Sequence, residues 1–129
     1  MATEPDRSPV DLDALSYDDR GLITVVAQDA DTGDVLMVAW ANRVSLERTL
    51  SEGRMVYWSR SRQEVWRKGD SSGHVQHWTE LRVDCDADTI VAKVHQEGPA
   101  CHTGERTCFF RALGVPGPMT RPARLRPRC

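Results

Sequence analysis

The sequence predicts one α+β domain dominated by β-strands, with mainly antiparallel connections and a single short helix. The chain has 129 residues, which is enough for one ordinary domain with a hydrophobic core. Apolar runs rich in β-branched residues recur along it and are separated by turns that contain Gly and Asp. The segment that follows Asn42 combines a helix-capping residue with a helical spacing of apolar residues. These three observations together favour a sheet built mainly from sequential strands.

The domain is predicted to begin with a β-hairpin. Residues 22–28 and 35–40 are two apolar runs with strand character, and the sequence DADTGD between them supplies the Asp and Gly of a turn. Further strands are predicted over residues 54–59 and 89–95.

A short helix is predicted between the second and third strands, over roughly residues 43–51. Asn42 can cap its first turn, and Gly53 lies just past its last residue. The helical spacing of the apolar residues predicts an inward face that is formed by Val44, Leu46 and Leu50.

The middle of the chain is predicted to be a loop followed by a strand. Residues 60–73 are polar, basic and rich in turn residues around a small apolar island, Val65 and Trp66. Residues 74–83 alternate in polarity, as a half-buried strand does. One face of this strand is predicted to carry Val75, His77, Thr79, Leu81 and Val83. His77 is therefore expected to be a packed core residue.

The sequence also predicts the limits of the domain. Residues 1–10 are expected to be disordered, and the domain is expected to span residues 11–113. Near its end, residues 96–105 (QEGPACHTGE) are predicted to form a loop, and residues 106–113 to return to the sheet. Residues 114–129 contain four prolines and four arginines and are expected to form a loosely held tail.

The composition argues against several classes of protein. The formal net charge of −2 gives no general attraction to nucleic acid or to an anionic membrane. No apolar run approaches the length of a membrane span, and the start MATEPDRSP is unlike a signal peptide, so a cytoplasmic location is expected. In such a reducing compartment the four cysteines favour metal binding or catalysis over disulfides.

Three carboxylates alternate along the sequence VDCDADT, namely Asp84, Asp86 and Asp88. In an extended chain, side chains two residues apart point to the same face, so these carboxylates would repel one another unless a cation neutralised them. A calcium loop of the EF-hand type is excluded because the sixth and twelfth positions, counted from Asp84, are not Gly and Glu. A solvated acidic strand end or turn stays the alternative to a site for a hard cation.

The same extended geometry directs Cys85 away from the aspartates and implies a second site, with Cys101 and Cys108 as candidate partners. Three thiolates would leave one tetrahedral position open, as catalytic zinc sites do. From spacing alone, three small buried apolar side chains are an equally good interpretation. Cys129, at the end of the Arg- and Pro-rich tail, is expected to stand apart from the other three.

His102 adjoins a candidate ligand and is interpreted as a fourth ligand, a proton shuttle or a loop residue without a role.

A group of basic residues precedes His102 in the sequence, interleaved with Ser and Gly. Such a group suits phosphate oxygens, although a run this short is usually a solvated loop. Its members are Arg60, Arg62, Arg67 and Lys68.

The chain closely resembles the phosphoribosyl-AMP cyclohydrolase family of histidine biosynthesis. The resemblance is carried by three segments: GLITVVAQDADTGDVLMVAWAN, YWSRSRQEVWRKGDSSGH and LRVDCDADTIVAKVHQEGPACHTGERTCFF. It runs in one register from about residue 21 to residue 110. Within these segments, the motifs WSRSR, DCDxD and GPACHTGxxxCF are long and specific.

This resemblance implies two metal sites and a homodimer. Magnesium would be bound by the three aspartates of the DCDxD motif, Asp84, Asp86 and Asp88. Zinc would be bound by Cys85, Cys101 and Cys108, drawn from both chains of the homodimer, in which a barrel-like sheet is completed. Many relatives carry a C-terminal pyrophosphohydrolase domain, and this chain is expected to perform only the cyclohydrolase step.

The resemblance also implies the reaction. Zinc-activated water would add to C6 of the adenine ring of phosphoribosyl-AMP, and the C6–N1 bond would break to give an imidazole carboxamide. We expect His102 to transfer protons and Trp66 either to stack on the substrate or to pack. Arg60, Arg62 and Lys68 are expected to contact the phosphates. The competing functions are a zinc-stapled RNA-binding module and a metal-dependent deaminase of adenine compounds.

Overall fold

The structure, a computed structural model, describes residue 4 and residues 6–114. Within these residues it contains one sheet of six strands and one α-helix, so the predicted β-dominated α+β fold is confirmed. The strands are β1 (Ile23–Asp29), β2 (Val35–Ala41), β3 (Val56–Ser59), β4 (Glu64–Arg67), β5 (Gln76–Val83) and β6 (Thr89–Gln96). The helix is α1 (Arg43–Glu52), and a short 3-10 helix, Leu12–Ala14, precedes β1. No helix in this part of the chain is long and apolar enough to cross a membrane.

The sheet is mixed rather than purely antiparallel. Its strand order is β4-β3-β2-β1-β6-β5. All neighbouring strands pair antiparallel except β1 and β6, which run parallel at the centre of the sheet. The prediction of mainly antiparallel strands is therefore confirmed. The parallel pair is an addition that local sequence patterns do not reveal.

The sheet curls until its two ends approach each other. The amide of Met55, just before β3, donates to the carbonyl of Gln76 in β5 at 2.9 Å, and the Trp78 amide donates to the Gly53 carbonyl at 3.3 Å. This curl gives a single chain a barrel-like wall around the core. The core cluster consists of Leu15, Ile23, Val25, Ala27, Leu36, Met37, Ala41, Leu46, Met55, Tyr57, Ile90, Ala92, Val94 and Ala100.

Helix α1 has the predicted position but not the predicted buried face. Leu46 is buried, whereas Val44 and Leu50 are 53% and 50% exposed, so their predicted inward orientation is wrong. Ser45 and Thr49 face inward instead. The Thr49 hydroxyl donates to the Ser45 carbonyl at 2.9 Å and accepts from a β3 amide at 3.0 Å. Because these bonds satisfy the hydroxyl group of Thr49, its burial costs little free energy. The spacing of the apolar residues therefore predicts the wrong buried face of α1.

A bulge in β5 reverses the faces that alternation predicts. The pairing register with β6 shifts between Trp78 and Glu80. Before the bulge, Gln76 is buried and His77 is exposed, and after it Leu81 packs against the core cluster. A bulge inserts one extra residue, so the side chains beyond it change face. The prediction that His77 is a core residue is therefore wrong.

Two other local predictions are corrected. The apolar island Val65–Trp66, predicted to lie in a loop, belongs to β4, which pairs antiparallel with β3. Residues 106–113 form no strand, although the Cys108 amide donates to the Leu36 carbonyl of β2 at 2.7 Å. In the predicted tail, residues 115–129 lie outside the described residues.

A buried chain of hydrogen bonds supports the wall beside the loop after β4. The Tyr57 hydroxyl donates to Oε1 of Gln76 at 2.6 Å, and Nε2 of Gln76 donates to Oε1 of Gln96 at 2.7 Å. Nε2 of Gln96 then donates to the His74 carbonyl at 3.1 Å. Burial raises the pKa of the Tyr57 hydroxyl far above its ordinary value, so Tyr57 stays a donor at physiological pH.

Gln76→Ala is expected to lower the free energy of unfolding by about 2–3 kcal/mol, because it leaves the buried Tyr57 hydroxyl without an acceptor. Urea unfolding followed by circular dichroism measures this loss. Gln28→Ala is a matched control, since its amide bonds to the Gly33 carbonyl at an exposed turn. Equal losses for the two variants would contradict a special contribution of the buried chain.

Candidate metal centres and active-site cavity

The three aspartates lie in the turn between β5 and β6, where their carboxylate oxygens approach within 4.8 Å of one another. The grouping of Asp84, Asp86 and Asp88 matches the prediction, but the predicted reason, strand alternation, is wrong. The Asp84 amide donates to the Thr89 carbonyl at 3.0 Å, and Ala87 has a left-handed φ of 62°. The turn therefore folds the three side chains toward one point.

The aspartate cluster is electrostatically suited to a hard cation. Desolvation acts to raise the pKa of Asp84, but hydrogen bonds, chiefly with Asp88, outweigh it and hold this pKa below its ordinary value. Hydrogen bonds with Asp84 and then Asp86 raise the pKa of Asp88. Three ionised carboxylates this close repel one another, and a divalent cation with oxygen ligands would relieve the repulsion. The donor set therefore fits magnesium.

A separate cavity of about 440 Å³ lies between β4, the loop that follows β4 and the loop that contains residues 101–104, here called the CHTG loop. Both of its cysteines face it together with groups that could act on a substrate. Its lining includes Trp66, Lys68, His74, Cys101, His102 and Cys108. The structure thus unites the predicted histidine, the predicted lysine and two of the three predicted thiolates.

The two cavity cysteines differ in their surroundings. The Thr103 hydroxyl donates to Sγ of Cys101 at 3.0 Å, and this bond lowers the pKa of the Cys101 thiol. Cys101 is buried and Cys108 is more exposed. Partial burial raises the pKa of the Cys108 thiol, and the neighbouring Cys101 acts in the same direction. Both thiols line the same cavity. Thiolates suit a soft cation such as zinc, so the pair fits part of a zinc site.

Cys85 lies elsewhere. It is exposed on the β5–β6 turn and lines a groove of about 680 Å³. This groove runs between α1, the turn and residues 6–10, which belong to the segment predicted to be disordered. One chain therefore brings Cys101 and Cys108 together but leaves Cys85 outside their cavity.

Lys68 lies beside the cysteine pair. Its ammonium donates to the carbonyl of Ala100 at 2.9 Å. Burial lowers its pKa from the ordinary lysine value, and the negative charges of Cys108 and Cys101 act in the opposite direction. An ammonium has three donors, so two remain for other partners after the bond to Ala100.

The arginines predicted to bind phosphate lie outside this cavity. The Arg60 guanidinium stacks over the ring of Trp40 at 4.3 Å from its centroid. Arg62 is exposed on the β3–β4 turn, 3.9 Å from Glu64. Among the described residues that line the cysteine cavity, Lys68 is the only member of the predicted trio.

His74 also lines the cavity. Its ring packs against Gly98, where an added Cβ would lie 2.6 Å from the imidazole Cδ2. Gly98, with a φ of 71°, therefore permits the ring to occupy this place. Trp66 both packs and faces the cavity, since its ring lies 5.2 Å from that of Tyr57. The only signal for His74 in the sequence is its position at the end of the Gly- and Ser-rich segment GDSSGH.

Comparisons with known proteins identify the family of the chain. A family model described as "Phosphoribosyl-AMP cyclohydrolase" matches residues 37–110. The chain is 60% identical over 100 residues to a phosphoribosyl-AMP cyclohydrolase of Dinoroseobacter shibae, covering 78% of this chain and 84% of the relative. A protein of the same name from Granulibacter bethesdensis is 55% identical over 108 residues, or 84% of each chain. A third, from Bordetella petrii, is 58% identical over 103 residues, covering 79% of this chain and 77% of the relative. The chain therefore belongs to the phosphoribosyl-AMP cyclohydrolase family of hydrolases.

Proposed function

We propose that this chain hydrolyses the C6–N1 bond of the adenine ring in phosphoribosyl-AMP, a cytoplasmic step of histidine biosynthesis that yields an imidazole carboxamide ribotide. The observation that carries the proposal is the cavity in which the thiols of Cys101 and Cys108 meet two imidazoles and an ammonium. Such a set suits metal-assisted addition of water. The names of the similar proteins supply the substrate.

Two metals complete the proposed site. Zinc would be held by Cys101 and Cys108 with Cys85 of a second copy, since Cys85 is exposed and lies outside the cavity of its own chain. Magnesium would be held by Asp84, Asp86 and Asp88 on the same turn as Cys85. When bound, zinc supplies a nucleophile at neutral pH by lowering the pKa of water to about 7. The homodimer would thereby join the two metal centres in one active site.

The residues of the chain would move the protons. Addition at C6 releases a proton from the attacking water, and departure of N1 requires a proton on that nitrogen. His102 adjoins Cys101 on the cavity wall, and an imidazole has one ring nitrogen that can accept a proton and one that can donate. We therefore propose His102 as the proton-transfer residue. The ring of Trp66 would form one wall of the adenine site. Arg60 and Arg62 would contact the phosphates from the β3–β4 turn.

The proposal is tested by incubating the purified protein with phosphoribosyl-AMP, with and without a zinc chelator. Ring opening is followed by ultraviolet absorbance, and activity should disappear with the chelator and return with added zinc. Release of ammonia would indicate a deaminase instead. Salt-dependent binding of RNA without ring opening would favour the zinc-stapled binding module.

Lys68→Met is expected to raise KM about tenfold while zinc content stays unchanged, because the variant loses a charge-assisted hydrogen bond to a substrate oxygen. Steady-state kinetics and metal analysis measure the two quantities. Lys93→Met is the matched control, since Lys93 lies on β6 and faces Glu80 at 3.7 Å. Loss of zinc at an unchanged KM would show that Lys68 supports the cysteine-containing loop rather than substrate binding.

A further inference from the structure

The loop between the two cavity cysteines is held by an arginine that the proposed mechanism does not use. Nη1 of Arg106 donates to Asp34 at 2.8 Å, and Nη2 donates to Asp29 at 2.9 Å and to Oγ1 of Thr32 at 3.1 Å. All three acceptors belong to the end of β1 or to the β1–β2 turn. One guanidinium therefore ties the cysteine loop to the hairpin that begins the sheet.

Backbone hydrogen bonds connect the Arg106 segment to the residues that carry the thiols. The Ala100 amide donates to the Arg106 carbonyl at 3.1 Å, and the Cys101 amide donates to the Glu105 carbonyl at 3.2 Å. On the other side, Cys108 follows Arg106 by two residues and bonds through its amide to the Leu36 carbonyl of β2. The backbone of Arg106 is thus bonded to the residue before Cys101, and Arg106 lies two residues before Cys108.

The hairpin turn does not depend on Arg106 for its own shape. Asp29 accepts from the amides of Asp31 and Thr32 at 2.8 and 3.0 Å, and the Gln28 side chain donates to the Gly33 carbonyl at 2.9 Å. These bonds close the turn without the arginine. Loss of the Arg106 side chain would therefore change the conformation of the loop between Cys101 and Cys108, while the turn keeps its own hydrogen bonds.

We propose that Arg106 is a positioning residue that sets the separation and orientation of the Cys101 and Cys108 thiolates for metal binding, through its ion pairs with Asp29 and Asp34. The inference rests on the proposed metal role of these two cysteines. Exposed ion pairs add little to global stability. Groups that orient metal ligands, by contrast, change metal affinity about 10- to 100-fold. Metal affinity, not unfolding, is therefore the quantity that reports this role.

The test uses the full chain stripped of metal and titrated with cobalt(II), whose absorption reports thiolate ligands, and with zinc in competition with a chelator. Arg106→Met should weaken zinc at least about tenfold. Arg106→Lys and Asp34→Asn should each weaken zinc binding less than Arg106→Met does, because one ion pair remains in each variant. Arg48→Met is the matched control, since Arg48 pairs with Glu52 on α1 and should bind zinc as the parent does. In the metal-free variant Arg106→Met, the amides of Ala100 and Cys101 should exchange hydrogen faster.

The outcomes separate this inference from the proposed function. If the parent protein shows thiolate-bound cobalt and Arg106→Met binds zinc equally well, the positioning role is overturned and the proposed function stands. If the parent shows no thiolate-bound cobalt, the metal role of the cysteines fails and the inference fails with it. Should circular dichroism show that Arg106→Met is unfolded, Asp34→Asn decides, because it keeps the pair between Arg106 and Asp29.

Discussion

Cys101→Ser is expected to remove zinc and to lower kcat/KM by about a thousandfold, which corresponds to about 4 kcal/mol of transition-state free energy. The reason is chemical rather than steric. A metal ligand must be deprotonated, and the bond from Thr103 already favours the Cys101 thiolate. A serine hydroxyl of similar size stays protonated and is a far poorer ligand for zinc. Metal analysis and single-substrate kinetics on the same preparation measure both effects.

The control for this variant is Cys129→Ser, because the sequence places Cys129 in the tail and apart from the other cysteines. It should keep both zinc and activity. Thermal unfolding of the metal-free proteins should show that Cys101→Ser folds as the parent does. A Cys101→Ser protein that is fully active and contains its full zinc complement would refute the catalytic zinc.

Asp86→Asn is expected to raise the magnesium concentration needed for half-maximal activity by about tenfold or more, because it removes one of three charges that face a common point. The variant leaves the turn intact. Asp84, not Asp86, accepts the amides of Asp88 and Thr89 at 3.0 and 3.2 Å. Zinc content should stay unchanged, since the variant keeps all three cysteines and the hydrogen bonds that shape the turn carrying Cys85.

Asp31→Asn is the matched control for this experiment. Asp31 is an exposed aspartate of the β1–β2 turn that lies 3.5 Å from His95, outside the carboxylate cluster. Its magnesium dependence should equal that of the parent. Parallel loss of zinc and magnesium from Asp86→Asn would show that the two centres are not separate sites.

Local sequence signals predicted the elements well where the chain's own neighbours decide the structure. Asn42 accepts the Ser45 amide, and Gly53 ends α1 in a left-handed conformation, as the capping pattern predicts. The same signals failed where a partner element decides. Thr49 is buried because β3 supplies its hydrogen bonds, and His77 is exposed because a bulge against β6 changes its face. Propensity and periodicity describe one segment at a time and cannot include these partners.

The sequence by itself determined the family and the helix limits, and it placed three carboxylates within five residues of one another. The turn in which Ala87 is left-handed, rather than the predicted strand alternation, brings those carboxylates together. Only the tertiary structure decided what surrounds the cysteines. Lys68 meets Ala100 across 32 residues of sequence, and Arg106 meets Asp34 across 72. Contacts this distant depend on the strand order, in which the parallel pairing of β1 with β6 sets the CHTG loop beside the first hairpin. Local spacing carries no information about that order, because strand pairing is chosen by the packing of the whole sheet.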